Sequence, residues 1–336
     1  MLTFEEENDL INDIREGAAL ALEEGELRDE SYIDNIKLNK LAYLAIQEFN
    51  LDITYGWFKY GPAPVDSTST NETATVSPMT LDQAPAARQS RVPRLDNKYL
   101  SPREYCYFFL ETIGDEFRQI VQSDTKEYLI QFYDQTAPPD YRELYKESTR
   151  LQQTLDEIKE NASWHEQREI YQEEIEERLN SVYRELLLME QFQEAVDAYQ
   201  RYTRLLKDVI IASGDYEELT AEQQRFVRSV VDFYYGSTWE YVALLVSRET
   251  VTGDNKKKLK SSIENDLQYH RDEYDREIES IRDRAQSFGL LPDAVEERKA
   301  ILNHNGSNIH SYSTDVDAVD RWTKLGTEVI LDANGQ

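Results

Sequence analysis

The stretch Lys37–Pro64, KLNKLAYLAIQEFNLDITYGWFKYGPAP, decides the fold of this chain. Leu38, Leu41, Leu44, Ala45 and Phe49 recur at three- and four-residue steps, and Ile36, Tyr43 and Ile46 widen that stripe. The spacing predicts a helix buried on more than one side, with Asn50 placed to end it. Ile53 to Tyr60 then alternates β-branched and aromatic side chains, which predicts a short strand stopped by Gly61-Pro62. Helix, strand and turn together make a small wedge.

Working outward, Thr3–Glu24 reads as an amphipathic helix carrying Leu10, Ile14, Leu20 and Ala21 and ending near Gly25, and Leu27–Ser31 as a polar link. Ala63–Asn97 differs in kind. Ser, Thr, Ala and Asp dominate it, and five of the nine prolines fall between Pro62 and Pro93. Such a run buries too little to offset its ordering entropy, so a long surface loop is expected, with an edge strand at Val92–Leu95. Ser101, Pro102 and Glu104 make a capping box, and the apolar run behind them predicts a helix to Val121. Asp124–Gln135 follows as another helix. Pro138-Pro139 closes it and marks a domain boundary.

Beyond Asp140 the chain turns to long helices. Leu151, Leu155, Ile158, Ala162 and His165 form one stripe, and Ile175, Leu179, Val182, Leu186 and Met189 another. The two stripes differ in phase, which predicts a stutter or break between Trp164 and Tyr171. A helix over Tyr199–Ile211 ends at Gly214-Asp215. A capped one runs from Thr220 through Val246, a turn sits at Gly253-Asp254-Asn255, and Lys256–Phe288 carries a thin stripe suited to one neighbour. Short elements are expected over Asp293–Asn303 and Val316–Leu331. The fold class that emerges is mainly α: a small α+β head over residues 1–136, with an insertion at 63–97, and an elongated helical bundle with coiled-coil-like helices over 137–336.

The 336 residues hold 66 Asp and Glu against 37 Lys and Arg, a formal charge of −29. The acids are spread over nearly every helix, and Arg outnumbers Lys 23 to 14. That distribution looks like a protein of a salt-saturated cytoplasm, where a Debye length of about 3 Å at 1 M salt screens the repulsion. Nucleic acid is disfavoured as a partner, because phosphate neutralisation needs a clustered basic surface and the one basic run, Lys256, Lys257, Lys258 and Lys260, reads as a solvated helix start. A lone Cys106 excludes an intrachain disulfide and fits a reducing compartment. No signal-peptide pattern and no apolar run of about 20 residues is found, so a cytoplasmic protein without a membrane span is expected.

Chemistry is sparse. His304 and His310, six apart near Asp315 and Asp317, lack the spacing of a metal site, so neither metal nor cofactor is expected. Arg298-x5-His304 fits the loose signature of HEPN-type ribonucleases, a spacing that arises by chance about once in a chain this rich in arginine. No Gly-rich phosphate loop occurs.

At the central stretch the sequence resembles the Panacea domain family, antitoxin and protease-adaptor domains of the SocA-like type. Lys37, Leu38, Lys40, Leu41, Tyr43 and Ala45 stand at the family's K-L-x-K-L-L-Y-x-A helix, and Trp57, Tyr60, Gly61 and Pro62 at its W-x-Y-G-P turn, with one extra residue between the aromatics. The likeness spans about Tyr32–Thr136 and includes the Leu100–Glu104 helix start. It implies a non-enzymatic module that binds a protein partner, with Lys37, Lys40, Tyr43, Trp57, Phe58, Tyr60, Gly61 and Pro62 at or near the recognition surface. The alternatives are an assembly protein that forms a homo-oligomer through its C-terminal helices, and a helical, metal-independent ribonuclease.

Overall fold

The structure, a computed structural model, describes residues 2–27, 34–64, 99–161 and 164–291. It is mainly helical, with one two-stranded sheet among the described residues. The expectations over the 65–98 insertion, the Arg28–Ser31 part of the link, and Asp293 onward lie outside those residues.

Helix α1 (Phe4–Glu24) starts on a capping box in which Glu6 reaches back to the N–H of Thr3 at 2.7 Å. It ends with Glu26 in the left-handed region, φ 56°. Helix α2 (Asn35–Glu48) is capped by Asp34 and ends the same way at Asn50, φ 46°, as its sequence predicts. There the Leu51 N–H closes on the Ile46 carbonyl at 3.0 Å.

The strand expectation needs correction. Gly61-Pro62 does not stop a single strand over Ile53–Tyr60. Lys59 and Tyr60 make a two-residue turn instead, joining β1 (Tyr55–Phe58) to β2 (Gly61–Pro64) in register Phe58 to Gly61 and Tyr55 to Pro64. The loop expected from Ala63 therefore begins later, since Ala63 and Pro64 are strand. Tyr55 and Trp57 turn their N–H groups away from β2, Tyr55 to the Thr252 carbonyl at 3.2 Å and Trp57 to Thr250 Oγ1 at 3.0 Å. Their register partners are Pro64 and Pro62, which have no N–H to turn outward. The two proline positions are thus the ones at which β2 needs no donor.

Residues 102–121 are also not one helix. A π-helical turn at Phe108–Thr112 separates α3 (Pro102–Tyr107) from α4 (Gly114–Gln122), which lets Phe108, Phe109 and Phe117 all reach the core. Helix α5 (Thr125–Thr136) begins on its Asp124 cap and stops before Pro138-Pro139.

The long helices follow as an antiparallel series, α6 (Arg142–Glu160), α7 (Arg168–Leu187) and α8 (Gln193–Ser213). Leu151, Leu155 and Ile158 are buried, as are Ile175, Leu179, Val182, Leu186 and Met189. The mismatch of phase is resolved by a helix break, with a tight 3-10 turn at Trp164–Gln167. The segment expected as one helix from Thr220 is again two, α9 (Ala221–Phe233) and α10 (Trp239–Thr250), around a second π-helical turn at Tyr234–Thr238. Helix α11 (Lys256–Ser287) packs on more than one neighbour: Arg248 of α10 pairs with Glu264, Arg271 makes a two-bond pair with Glu194 of α8 at 2.8 and 2.9 Å, and Tyr274 meets Phe233 of α9.

The buried side chains on both sides of Pro138-Pro139 belong to one continuous cluster. Two joints carry it across. The hairpin is one. The other is a polar clasp in which Glu7, 1% exposed, accepts from Thr54 Oγ1 and Asn255 Nδ2, both at 2.8 Å. Asn255 also donates to the Leu2 carbonyl at 2.9 Å, and its N–H to Thr54 Oγ1 at 2.8 Å. Burial pushes the Glu7 carboxyl up, and these donors oppose that shift. Asn255→Ala would leave the Leu2 carbonyl without its donor and take from the buried Glu7 carboxylate one of its two, and should cost about 2–4 kcal/mol of unfolding free energy, read from denaturant melts. A loss under about 0.5 kcal/mol would mean that the clasp is not a joint.

Candidate functional site

The residues of the central stretch converge on the hairpin turn. Its three successive carbonyl oxygens each accept from a side chain of a different helix. Tyr145 Oη of α6 donates to Phe58 O at 2.8 Å, Trp239 Nε1 of α10 to Lys59 O at 2.8 Å, and Lys40 Nζ of α2 to Tyr60 O. Gly61, φ +99°, follows the turn in a region that favours glycine. A Cβ there would lie 2.9 Å from Lys40 Nζ and 3.1 Å from Tyr133 Cε1.

Below the turn, Trp57 sits at the centre of an aromatic cluster. Its ring centroid lies 5.5 Å from Tyr145, 6.0 Å from Tyr43, 6.2 Å from Tyr133 and 6.3 Å from Phe132. Tyr145 in turn meets Trp239 edge-on at 5.4 Å. Such pairs contribute about 0.5–1.5 kcal/mol each beyond their buried area. On the opposite face of the hairpin a side chain at Gly56 would strike Ser247 Oγ of α10 at 2.5 Å. The hairpin is thereby held between α2 and α5 on one side and α10 on the other.

The eight residues singled out by sequence divide in two. Lys37, Lys40, Trp57, Gly61 and Pro62 are buried, while Tyr43, Phe58 and Tyr60 are partly accessible. Lys37 Nζ donates to the carbonyls of Ser123 at 2.9 Å and Val121 at 3.3 Å, closing the C-terminal end of α4 where a cation also meets the helix dipole. Burial lowers its pKa, and Asp34 and Asp124 oppose that. Lys40 lies 5.1 Å over the Phe132 ring. Desolvation pulls its amine from 10.5 down to about 7, against a smaller upward pull from Asp34. Tyr60 stacks on Tyr235 at 4.5 Å, and burial raises the Tyr43 hydroxyl to about 12.

Sequence reading missed the second half of this site. Lys59 pairs with Glu240 of α10, which also faces His270 Nε2 of α11 at 3.5 Å. Burial pushes the Glu240 carboxyl up, but His270 and Lys59 together outweigh it and hold the group below its ordinary value. Tyr145, Tyr235 and Trp239 were also missed. Their signal is faint: the π-helical turn at Tyr234–Thr238 shifts the helix phase, so no single 3.6-residue stripe contains both Tyr234 and Trp239.

A sequence model described as "Domain of unknown function (DUF8098)" matches residues 1–310. The chain belongs to that family. The match runs through both the hairpin joint and the clasp, and through α1 to α11. No curated protein and no solved structure matches the chain. Among the described residues, no group of His, Cys, Asp and Glu side chains is arranged to hold a metal, and no helix is long and apolar enough to cross a membrane. Arg298, His304 and His310 lie outside the described residues.

The buried amine gives a pH signature. Between pH 10.5 and about 7 the unfolded chain protonates Lys40 and the folded chain does not, so the unfolded state binds more protons and stability falls as pH is lowered through that window. Lys40→Met removes this dependence. The parent should lose stability relative to the variant from pH 10 to pH 7, by up to about 1.4 kcal/mol per pH unit, with the difference level below pH 6. Parallel stability curves would show an amine of ordinary pKa. Gly61→Ala, which meets both the backbone strain and Lys40, should cost about 1–3 kcal/mol in the same melts.

Proposed function

We propose that this chain is a non-enzymatic protein-binding module of the antitoxin or adaptor kind suggested by its resemblance to the Panacea family, with the tip of the hairpin as the contact surface. One observation carries the reading. The turn is fixed by three side-chain donors while Phe58, Lys59 and Tyr60 stay partly accessible, so an aromatic tip, its Lys59 paired with Glu240, is held in place before any partner arrives. Preorganisation of that kind lowers the ordering cost of association, and Tyr is among the residues that dominate interface energies. Tyr43 and Trp57 pack beneath the tip and Lys40, Gly61 and Pro62 hold it in shape, while Lys37 fixes the end of α4 behind them.

The test is co-purification from cells of the native host at multimolar salt, comparing the parent with a Phe58→Ala, Tyr60→Ala variant. The parent should retain one stoichiometric protein, identified by mass spectrometry, and the variant should lose it with its helical circular dichroism intact. A variant that folds and still retains the partner would overturn the reading.

A further inference from the structure

A second surface lies at the corner where α7 turns into α8. The seam of α7 is complete with Leu186 and Met189, both buried. Between them Leu187 and Leu188 point outward and are 51% and 77% exposed, the latter the most exposed large apolar side chain among the described residues. Isolated apolar side chains on a surface are ordinary, but an adjacent pair outside a finished seam has no packing role among the described residues.

The charge beside them is on balance acidic. Glu185 lies three residues before Leu188, on the same side of the helix. It has no ion pair among the described residues. Burial raises its pKa first, Glu143 and Glu147 of α6 raise it further, and Arg184 opposes them. Glu143 shares Lys146 with Asp134 and Glu147 pairs with Arg150, which leaves the exposed Arg184, bonded to Ser181 Oγ, as the cation beside Glu185 and the acids in excess. Two exposed leucines next to a carboxylate held among carboxylates are each unfavourable in the isolated chain. A partner offering apolar groups flanked by cations relieves both at once.

We propose that this corner docks a basic amphipathic segment of a partner protein, its apolar side chains over Leu187 and Leu188 and its Lys or Arg groups against Glu185, Glu143 and Glu147. This surface is independent of the hairpin tip.

The test uses the full chain in about 1 M salt, where a Debye length of about 3 Å leaves little long-range attraction to the acidic surface. The probes are a helical Leu/Lys peptide of about 14 residues and a Ser/Lys peptide of the same length and charge. The Leu/Lys peptide should bind one to one by calorimetry and the Ser/Lys peptide should not. Leu188→Asp and, separately, Glu185→Lys should each weaken binding by about tenfold or more, while the Phe58→Ala, Tyr60→Ala variant binds as the parent does. Equal binding of the two peptides, or affinities untouched by both corner variants, would overturn the proposal. So would a parent that self-associates in light scattering and becomes monomeric on Leu188→Asp, since a second copy would then occupy the corner.

Discussion

Three adjacent carbonyl oxygens of a partly buried turn, each met by a side-chain donor, set the terms for the rest of this structure. A buried backbone acceptor without a donor costs about 1–3 kcal/mol, so a tight turn taken inside a protein is tolerable only when donors come to it. Here they come from α2, α6 and α10, elements separated by as many as 199 positions between Lys40 and Trp239. Each donor also belongs to the aromatic cluster around Trp57 or borders it. Satisfying the turn and packing the core are therefore one requirement, and neither half of the chain meets it alone.

The same requirement explains where the scarce cations go. In a chain of charge −29, two lysines among the described residues are withdrawn from the surface to meet carbonyl groups, Lys37 at the end of α4 and Lys40 at the turn. Desolvation disfavours a buried ammonium, and the lowered pKa of both amines expresses that penalty. What is gained is geometric: an ammonium on a long stem can reach a carbonyl that no backbone donor can approach.

Much of this architecture was legible. Capping boxes at Thr220 and at Ser101, the αL residue Asn50, and the buried stripes of α6 and α7 are local signals, and local signals survive into the structure because the backbone satisfies them within a few residues. The hairpin was half legible. Tyr55–Phe58 has the composition of a strand, but Gly61-Pro62-Ala63-Pro64 has that of a loop, and only the tertiary position of an edge strand makes prolines acceptable there. The π-helical turns escaped because a one-residue phase shift looks like noise in a stripe. Of the site, the resemblance pointed to Lys40 and Trp57, while Tyr145, Glu240, Trp239 and His270 come from sequence positions nearly one to over two hundred residues away, beyond the reach of any spacing rule.

The prolines of β2 have one more consequence. A two-stranded sheet ordinarily offers an outer edge to which another extended chain can add by main-chain pairing. In this hairpin the free edge of β1 is occupied by residues 250–252, and the free edge of β2 lacks N–H groups at Pro62 and Pro64. The sheet is finished at two strands. A protein that met this face would find side chains such as Phe58, Lys59 and Tyr60 and no backbone ladder that any extended peptide could join.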